Sequence, residues 1–465
     1  MSFVSWAFAG LYLVALGLRW SIGRDPRWRI TTLLVLSWIF YAWHIPALLI
    51  LIVFSTLTDY VAARLLAGLP QSMAHRRRLV LGTSLVVNLG LLGWFKYAGF
   101  LARAISDASG IGVPVPEVVL PIGISFYTFQ SMSYTIDVYR QQVRAETSFL
   151  RVACYIAFFP QLVAGPIVRA SEFLYQFSRR RRFHARVFAE GAYLIVRGLF
   201  LKLVVADNLG VVVDTYWDQA AAEPGGILAF SLLVFFACQL FCDFAGYVDI
   251  ARGVALQLGF RLPINFNAPY IAMTFSSFWR RWHITLSQWM RDYLYVPLGG
   301  SRRGRVRGLI NVLIVMLISG LWHGANWTFV AWGGVLGLGL VAERLLRIDG
   351  RPTAVLWGWF AVVQVTWILS MSLFRSSDIG QGTDLIEHAL TGVFDPSVRP
   401  DTAGLLVFGW WLTLPVWVLH VRAALAERRI VALPGTFERC AIAGGMAAMI
   451  IMLYTTSQQF IYFQF

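Results

Sequence analysis

Apolar residues run in blocks along the whole chain, broken by short polar stretches that are rich in arginine. Most of these blocks reach or approach the roughly 20 residues that a helix needs to cross a bilayer. None is a regular alternation of apolar and polar positions, so the pattern predicts helices rather than strands. Crossings are predicted at 3–18, twice over 30–63 (one apolar run with Pro46 near its middle), and at 79–101, 118–137, 187–213, 227–250, 355–374, 405–419 and 440–465. Residues 152–168 are bounded by arginines on both sides and are too short to cross twice. With Pro160, Gly165 and Pro166 they read as a re-entrant piece, which is tolerated at membrane depth only where protein or a cavity covers it. Residues 308–343 are also basic at both ends and read as a hairpin or two broken helices. The fold class is therefore an all-α polytopic integral membrane protein, read as one membrane domain over 1–465.

Composition agrees. Of 465 residues 58% are hydrophobic and only 14% charged, against about 25% charged in soluble domains. The net charge is +15, yet it does not point to nucleic acid. Lys96 and Lys202 are the only lysines, both inside apolar blocks, and the remaining basic residues are arginines gathered at block ends. That is the signature of cytoplasmic loops. It places the arginine clusters around Arg27, Arg77, Arg180 and Arg303 in the cytoplasm and the acidic loops around Asp214 and Asp384 outside. Both termini then fall outside, and residues 3–18 read as a first crossing rather than a removable leader. Cys154, Cys238, Cys242 and Cys440 read as small core residues, and no spacing of His and Cys suggests a metal.

An ionisable group near the bilayer centre costs on the order of 2.5–3.5 kcal/mol even on lenient scales, so each buried one is a functional candidate. His75, His184 and His388 read as solvated, and His44 and His420 as interfacial. His283 and His323 remain. His323 lies near the middle of the 308–343 block between Gly320 and Gly324, where a neutral imidazole can serve as a general base. His283 follows Phe278-Trp-Arg-Arg-Trp, inside an amphipathic stretch at 265–300. There Phe275, Trp279, Trp282, Leu286, Trp289 and Tyr293 share the helical spacing of an aromatic face, and Arg280, Arg281, Gln288 and Arg291 oppose it. This reads as an interfacial helix whose arginines touch lipid headgroups or hold a donor's phosphates. Asp243 and Asp249 read as partners for Arg252, Arg280 or Arg281. Lys202 and Asp207 read as a loose pair.

Several strings resemble, in the right order, the membrane-bound O-acyltransferase family, in particular its bacterial polysaccharide-acetylating branch. They are Phe158-Phe-Pro-Gln-Leu-Val-Ala-Gly-Pro-Ile167, Cys242-Asp-Phe-Ala-Gly-Tyr-Val-Asp-Ile-Ala-Arg-Gly253, Asn265-Phe-Asn-Ala-Pro-Tyr270, Phe278-Trp-Arg-Arg-Trp-His283, Asp292-Tyr-Leu-Tyr-Val-Pro-Leu-Gly-Gly300 and Gly320-Leu-Trp-His-Gly324. Ala245 stands where the family pattern has serine. The resemblance is strongest over 118–345, which it makes the catalytic core, with a C-terminal crossing and tail at 440–465. It implies a bundle of broken helices around a central tunnel.

The resemblance also implies roles. His323 becomes the catalytic base, His283 a second catalytic or donor-positioning residue, Arg280, Arg281, Trp279 and Trp282 donor-binding residues, and Asp243, Asp249 and Asn326 structural residues of the tunnel. The chain end, Gln459-Phe-Ile-Tyr-Phe-Gln-Phe465, resembles an ending in which a tyrosine carries the acyl group, here Tyr462, with Phe460 and Phe465 as anchors. The implied reaction moves an acetyl group from a cytoplasmic thioester, acetyl-CoA as substrate rather than a bound cofactor, across a bacterial inner membrane to a polysaccharide outside. An SGNH-hydrolase-like extracytoplasmic partner completes the transfer, since these 465 residues contain no such domain. Membrane lipid is the other partner, and neither metal nor nucleic acid is expected. Two rivals stand beside this reading. One is D-alanyl transfer from a carrier protein to teichoic acid. The other is a transporter or flippase with a proton-relaying histidine, to which the lack of an inverted repeat is opposed.

Overall fold

A computed structural model describes the chain except residues 22–24, 180–181, 224, 392–399, 433, 455–459 and 462–465, and the side chains of 26, 400 and 401. The described residues are helical and irregular, with no strand among them. They are α1 (Trp6–Ser21), α2 (Pro26–Ala42), α3 (Leu49–Gly68), α4 (Ala74–Leu92), α5 (Ala98–Ser109), α6 (Ile124–Tyr139), α7 (Phe149–Ala157), α8 (Ala170–Ser178), α9 (Ala185–Leu199), α10 (Asp207–Ala222), α11 (Gly226–Gln257), α12 (Phe275–Trp279), α13 (Ile284–Met290), α14 (Arg305–His323), α15 (Trp327–Leu346), α16 (Thr353–Arg375), α17 (Ile379–Thr391), α18 (Pro400–Glu427) and α19 (Thr436–Leu453). Three π-helical segments join neighbours, at Gly93–Tyr97, Phe200–Ala206 and Arg291–Tyr295. Both lysines of the chain lie in such segments.

Among the described residues eight helical stretches are long and apolar enough to span a membrane: Pro46–Gly68, Gln71–Ser109, Gly226–Gln257, Arg305–His323, Trp327–Leu346, Thr353–Arg375, Thr402–Glu427 and Thr436–Leu453. The protein is a multi-pass helical membrane protein. The expected crossings at 3–18 and 118–137, and the first of the two expected over 30–63, are the shorter helices α1, α6 and α2, of 16, 16 and 17 residues. The one at 187–213 is α9 to α10, which carries Glu190, Arg197, Lys202 and Asp207. The 308–343 block is two unbroken helices, α14 and α15, rather than broken ones.

The chain groups into two compact units, Met1–Ile195 with Tyr247–Pro263, and Val196–Gly246 with Ile264–Phe465. In the first, α3, α4 and α6 pack together around Asp59, a fully buried carboxylate that the sequence pattern does not single out. Its oxygens accept from Ser84 and Ser131, from Asn88 Nδ2 at 2.8 Å and from Thr135 Oγ1 at 2.7 Å. A buried carboxylate is tolerable when donors surround it, and these four are supplied by two of the three helices. Arg77 is also buried. It donates to the carbonyls of Leu66, Leu69 and Tyr139 at 2.7 to 2.9 Å, and so caps the C-terminal ends of α3 and α6. Asp249 pairs with Arg252, one helical turn on, at 3.5 Å.

The break expected at Pro160, Gly165 and Pro166 lies in the same unit. Helix α7 ends at Ala157, and residues 158–168 continue as buried irregular backbone. Side chains serve its polar groups. The amides of Gln130 and Gln161 each donate to Tyr155 O at 2.8 Å, Tyr155 donates to Val168 O at 2.7 Å, and Phe159 N–H donates to Ser37 Oγ at 3.1 Å. Phe158 and Phe173 pack on Phe260. Irregular backbone can lie this deep because each of these groups has a partner.

In the second unit α14 and α15 form the closest helix pair. A Cβ at Gly320 would lie 2.1 Å from Phe329 O, and one at Gly333 would lie 2.3 Å from Met316 O. Only hydrogen fits at these crossings, so the two backbones meet directly. Asn326 caps α15 by accepting from Thr328 N–H, and its amide donates to Ser377 O at 2.8 Å. Cys238 and Cys242 are buried here as expected, whereas Cys440 is exposed on α19 rather than part of the core.

Candidate functional site

The stretch 265–300 corrects the expected interfacial helix. It is broken into α12, α13 and the Arg291–Tyr295 π segment, and the break falls at His283, whose backbone is left-handed with φ +42°. A non-glycine residue in that region carries strain of roughly 1–2 kcal/mol. The preceding motif holds the turn. Asn265 Oδ1 accepts from Thr285 N–H at 3.0 Å and from Thr285 Oγ1 at 2.9 Å, while Asn265 O accepts from Ile284 N–H at 2.9 Å. Asn267 N–H donates to Arg281 O at 2.9 Å. The string Asn265-Phe-Asn thus acts as a splint across the break. A single helical face cannot persist through such a turn, so Phe275, Trp282 and Leu286 are buried in protein instead of lying along a lipid surface.

The turn sends the His283 side chain inward, where it is fully buried rather than interfacial. Burial pushes its pKa down to about 3, so the imidazole is neutral. His323, the last residue of α14, is buried as well. It therefore sits at the apex of the α14–α15 hairpin, a full helix length from the basic end at Arg305. The two imidazole centroids are 6.4 Å apart. Aromatic rings surround them. Trp322 lies 5.8 Å from His283 and 5.0 Å from His323, Trp332 and Phe374 lie 5.1 and 5.5 Å from His323, and Phe244 lies 4.8 Å from His283. Two residues 40 positions apart in sequence thus share one chamber walled by indoles and phenyl rings.

Beside the chamber is a cavity of about 510 Å³, lined by Ser276, Trp279, Arg280, Gln288, Arg291, Ser319 and Arg344 among others. Ser319 lies one helical turn before His323. The Trp279 ring meets Trp332, which in turn lies against His323. Three arginines together with apolar side chains in the lining suit a ligand with an anionic head and an apolar, reactive end. Arg280 and Trp279 line it, as expected of donor-binding residues. Arg281 is instead engaged in a bidentate pair with Glu427 at 2.7 and 2.8 Å. Trp282 is packed among Phe278, Phe266 and Trp367. Arg344 was not singled out by the sequence, because only the fold brings α15 against the π segment, where Arg344 donates to Tyr295 Oη at 3.0 Å. His420, expected at the interface, is buried and stacked on Tyr270.

Asp243 does not meet Arg252, Arg280 or Arg281 in any ion pair among the described residues. Its partner is Lys202 at 2.8 Å, which also reaches Asp207 at 2.7 Å. Sequence spacing made Lys202 and Asp207 a loose pair, since five residues in an α-helix point well apart. The segment between them is π-helical, and Asp207 N–H bonds back to Lys202 O, which brings residues five apart into register. Residues 460 and 461 continue this network. Phe460 and Ile461 are buried, as the anchoring role of Phe460 requires. Ile461 N–H donates to Asp243 Oδ2 at 2.6 Å, and the Phe460 ring lies 5.9 Å from Phe244. Tyr462 and Phe465 lie outside the described residues. Among the described residues no group of His, Cys, Asp and Glu is placed to hold a metal.

Residues 20–349 match the family model described as MBOAT, membrane-bound O-acyltransferase family. The chain is 40% identical over 381 residues to the probable alginate O-acetylase AlgI of Azotobacter vinelandii, covering 80% of this chain and 73% of that one. It is 34% identical to the peptidoglycan O-acetyltransferase of Helicobacter pylori, covering 81% and 76%. Identity to the teichoic acid D-alanyltransferase of Streptococcus thermophilus is 30%, over 47% of this chain and 56% of that one. With the paired histidines and the match running across most of its length, the chain belongs to the membrane-bound O-acyltransferase family and is an enzyme of that class.

Proposed function

We propose that the protein takes an acetyl group from a cytoplasmic thioester, acetyl-CoA, and passes it through the bacterial inner membrane for O-acetylation of an extracytoplasmic polysaccharide. The observation that carries this reading is the burial of His283 and His323 in one aromatic chamber beside a cavity whose lining includes three arginines. A thioester is already activated. What the protein supplies is a base, orientation and exclusion of water, which would otherwise hydrolyse the acyl group. The arginines suit the phosphates of the donor, and the indoles around His323 suit a dry reacting centre. Acetyl rather than D-alanyl transfer is favoured because the relatives named for acetylation match over about four fifths of this chain, and the relative named for D-alanylation over about half.

In the proposed step His323 takes a proton from an acceptor hydroxyl. The oxygen attacks the thioester carbonyl, the C–S bond breaks, and the thiol leaves. The acceptor is Tyr462, next in sequence to the buried Ile461, and the aryl ester so formed is still activated for onward transfer. An SGNH-hydrolase-like partner outside the membrane then delivers the acetyl group to sugar hydroxyls. Tyr462→Phe removes only the hydroxyl, and it should abolish polysaccharide acetylation as fully as loss of His323. Incubation of the purified protein with radiolabelled acetyl-CoA tests the reading as a whole. Release of the thiol with label retained on the protein supports it. A protein that neither cleaves the thioester nor retains label is no acetyl-CoA-dependent transferase, and a parallel incubation with a D-alanyl-charged carrier protein covers the other donor.

A further inference from the structure

We infer that Asp243, held by Lys202, is a positioning residue that docks the C-terminal segment against the histidine chamber; the inference rests on the acyl-transfer reading above. Four observations meet at this place in the second unit. Gly246 allows α11 to approach the π segment closely, since a Cβ there would lie 2.7 Å from Gly198 O and 3.2 Å from Lys202 N. The π turn brings the Lys202 ammonium to both Asp207 and Asp243. Asp243 then divides its two oxygens. Oδ1 takes Lys202, and Oδ2 accepts the main-chain N–H of Ile461 at 2.6 Å. Next to the triad, Asn208 Nδ2 donates to the carbonyls of Leu203, Val204 and Leu453 at 2.9 to 3.2 Å. The end of α19 and residue 461 are thus gripped at two main-chain points, Leu453 O by Asn208 of α10 and Ile461 N–H by Asp243 of α11, both beside one π-helical segment.

The grip has a direction. Phe460 packs on Phe244, and Phe244 packs on His283. One phenyl ring separates the docked tail from the buried imidazole. The triad sets two carboxyl groups against one ammonium. A structural ion pair would need only one of the two aspartates. The second has a use if it must offer a strong acceptor to a main-chain N–H that is not part of a helix. A charged acceptor makes a hydrogen bond roughly twice as strong as a neutral one. π insertions in helices are frequent at functional sites because they turn a side chain out of the ordinary helical register.

The test reads the tail directly. In a Cys440→Ser background, which removes the exposed thiol, Ile461→Cys should react slowly with a membrane-permeant maleimide. Adding Asp243→Asn makes the triad neutral, so folding is not penalised by a lone charge, and labelling at 461 should rise at least tenfold. Buried Cys238 and Cys242 report in the same digest that the core is intact. Polysaccharide acetylation should fall at least tenfold with the KM for the thioester unchanged. A second variant leaves the triad alone. Ile461→Pro deletes the N–H that Asp243 accepts, together with the isoleucine side chain, and should release a cysteine placed at 460 in the same way, whereas Ile461→Ala, which trims the side chain and keeps the N–H, should leave it protected. Unchanged protection in both Asp243→Asn and Ile461→Pro overturns the docking, and fast labelling with unaltered acetylation overturns its role in positioning. Failure of the acyl-transfer reading shows separately, as full acetylation by a His323→Ala protein whose tail is still protected.

Discussion

His323→Ala should reduce acetylation to background while leaving expression and membrane insertion unchanged. Removal of a general base typically lowers rates by about 10²–10⁴, and no other buried imidazole reaches the same ring cluster from α14. His283→Gln should cost less and differently. It keeps a polar side chain at the left-handed turn, so the Asn265 splint survives, and the loss should fall on kcat rather than on the KM for the donor. Single-turnover assays on the purified protein separate the two variants. Equal activity of the His323 variant and the parent would remove that residue from the chemistry. Both histidines stood out in the sequence as ionisable groups in apolar surroundings. Their proximity did not, because it depends on a turn at residues 280–283 that the helical spacing of aromatics concealed.

At the level of elements, the α14–α15 hairpin places His323, and two glycines set how closely its helices meet. Gly324→Ala would drive a methyl to 2.0 Å from the Phe329 ring, which a rotation can relieve, whereas Gly320→Ala would meet main-chain oxygen at 2.1 Å. Backbone cannot step aside so cheaply. Overpacking of this kind costs typically 1–3 kcal/mol. Gly320→Ala should therefore lower the Tm in detergent by more than Gly324→Ala does, and should also lower activity by shifting the apex of the hairpin. Thermal unfolding of both variants checks the order, and the reverse order would mean that the helices are free to separate. The same reasoning explains why 265–300 misled. Phe275, Trp279, Trp282, Leu286 and Trp289 keep a helical period because each short helix obeys it locally, and nothing in the period marks the residue where the chain turns left-handed.

For the molecule as a whole, the arginine distribution predicts that the 302–307 loop and the arginines near 180 face the cytoplasm and that both termini face outward. Single cysteines at 303 and at residue 2, in a Cys440→Ser background, decide this with an impermeant maleimide on intact cells whose outer membrane has been permeabilised. Position 2 should label and position 303 should not. Labelling at 303 would invert the direction of acetyl transfer. Within the second unit, Arg375 of α16 pairs with Asp214 of α10 at 2.5 Å and Gln381 of α17 donates to Asp218 of α10 at 2.8 Å. These contacts put the two loops read as extracytoplasmic at one end of the helices, as the arginine distribution requires of them.

The sequence by itself determined that the chain is helical and membrane-embedded, where the apolar helices lie, and that His283 and His323 are the candidate histidines. Each of these follows from local composition and from the expense of placing a charge in hydrocarbon. It also marked residues 152–168 as too short to cross twice between flanking arginines and as broken by Pro160, Gly165 and Pro166. Only the tertiary structure decided which polar groups meet. Lys202 finds Asp243 through a π turn and a glycine contact between helices. Asp59 is satisfied by Ser84, Asn88, Ser131 and Thr135 from two other helices. Ile461 reaches across more than 200 residues to a carboxylate on α11. Such partners are set by the register of one helix against another, and that register depends on packing between elements far apart in the chain, which no window along the sequence contains.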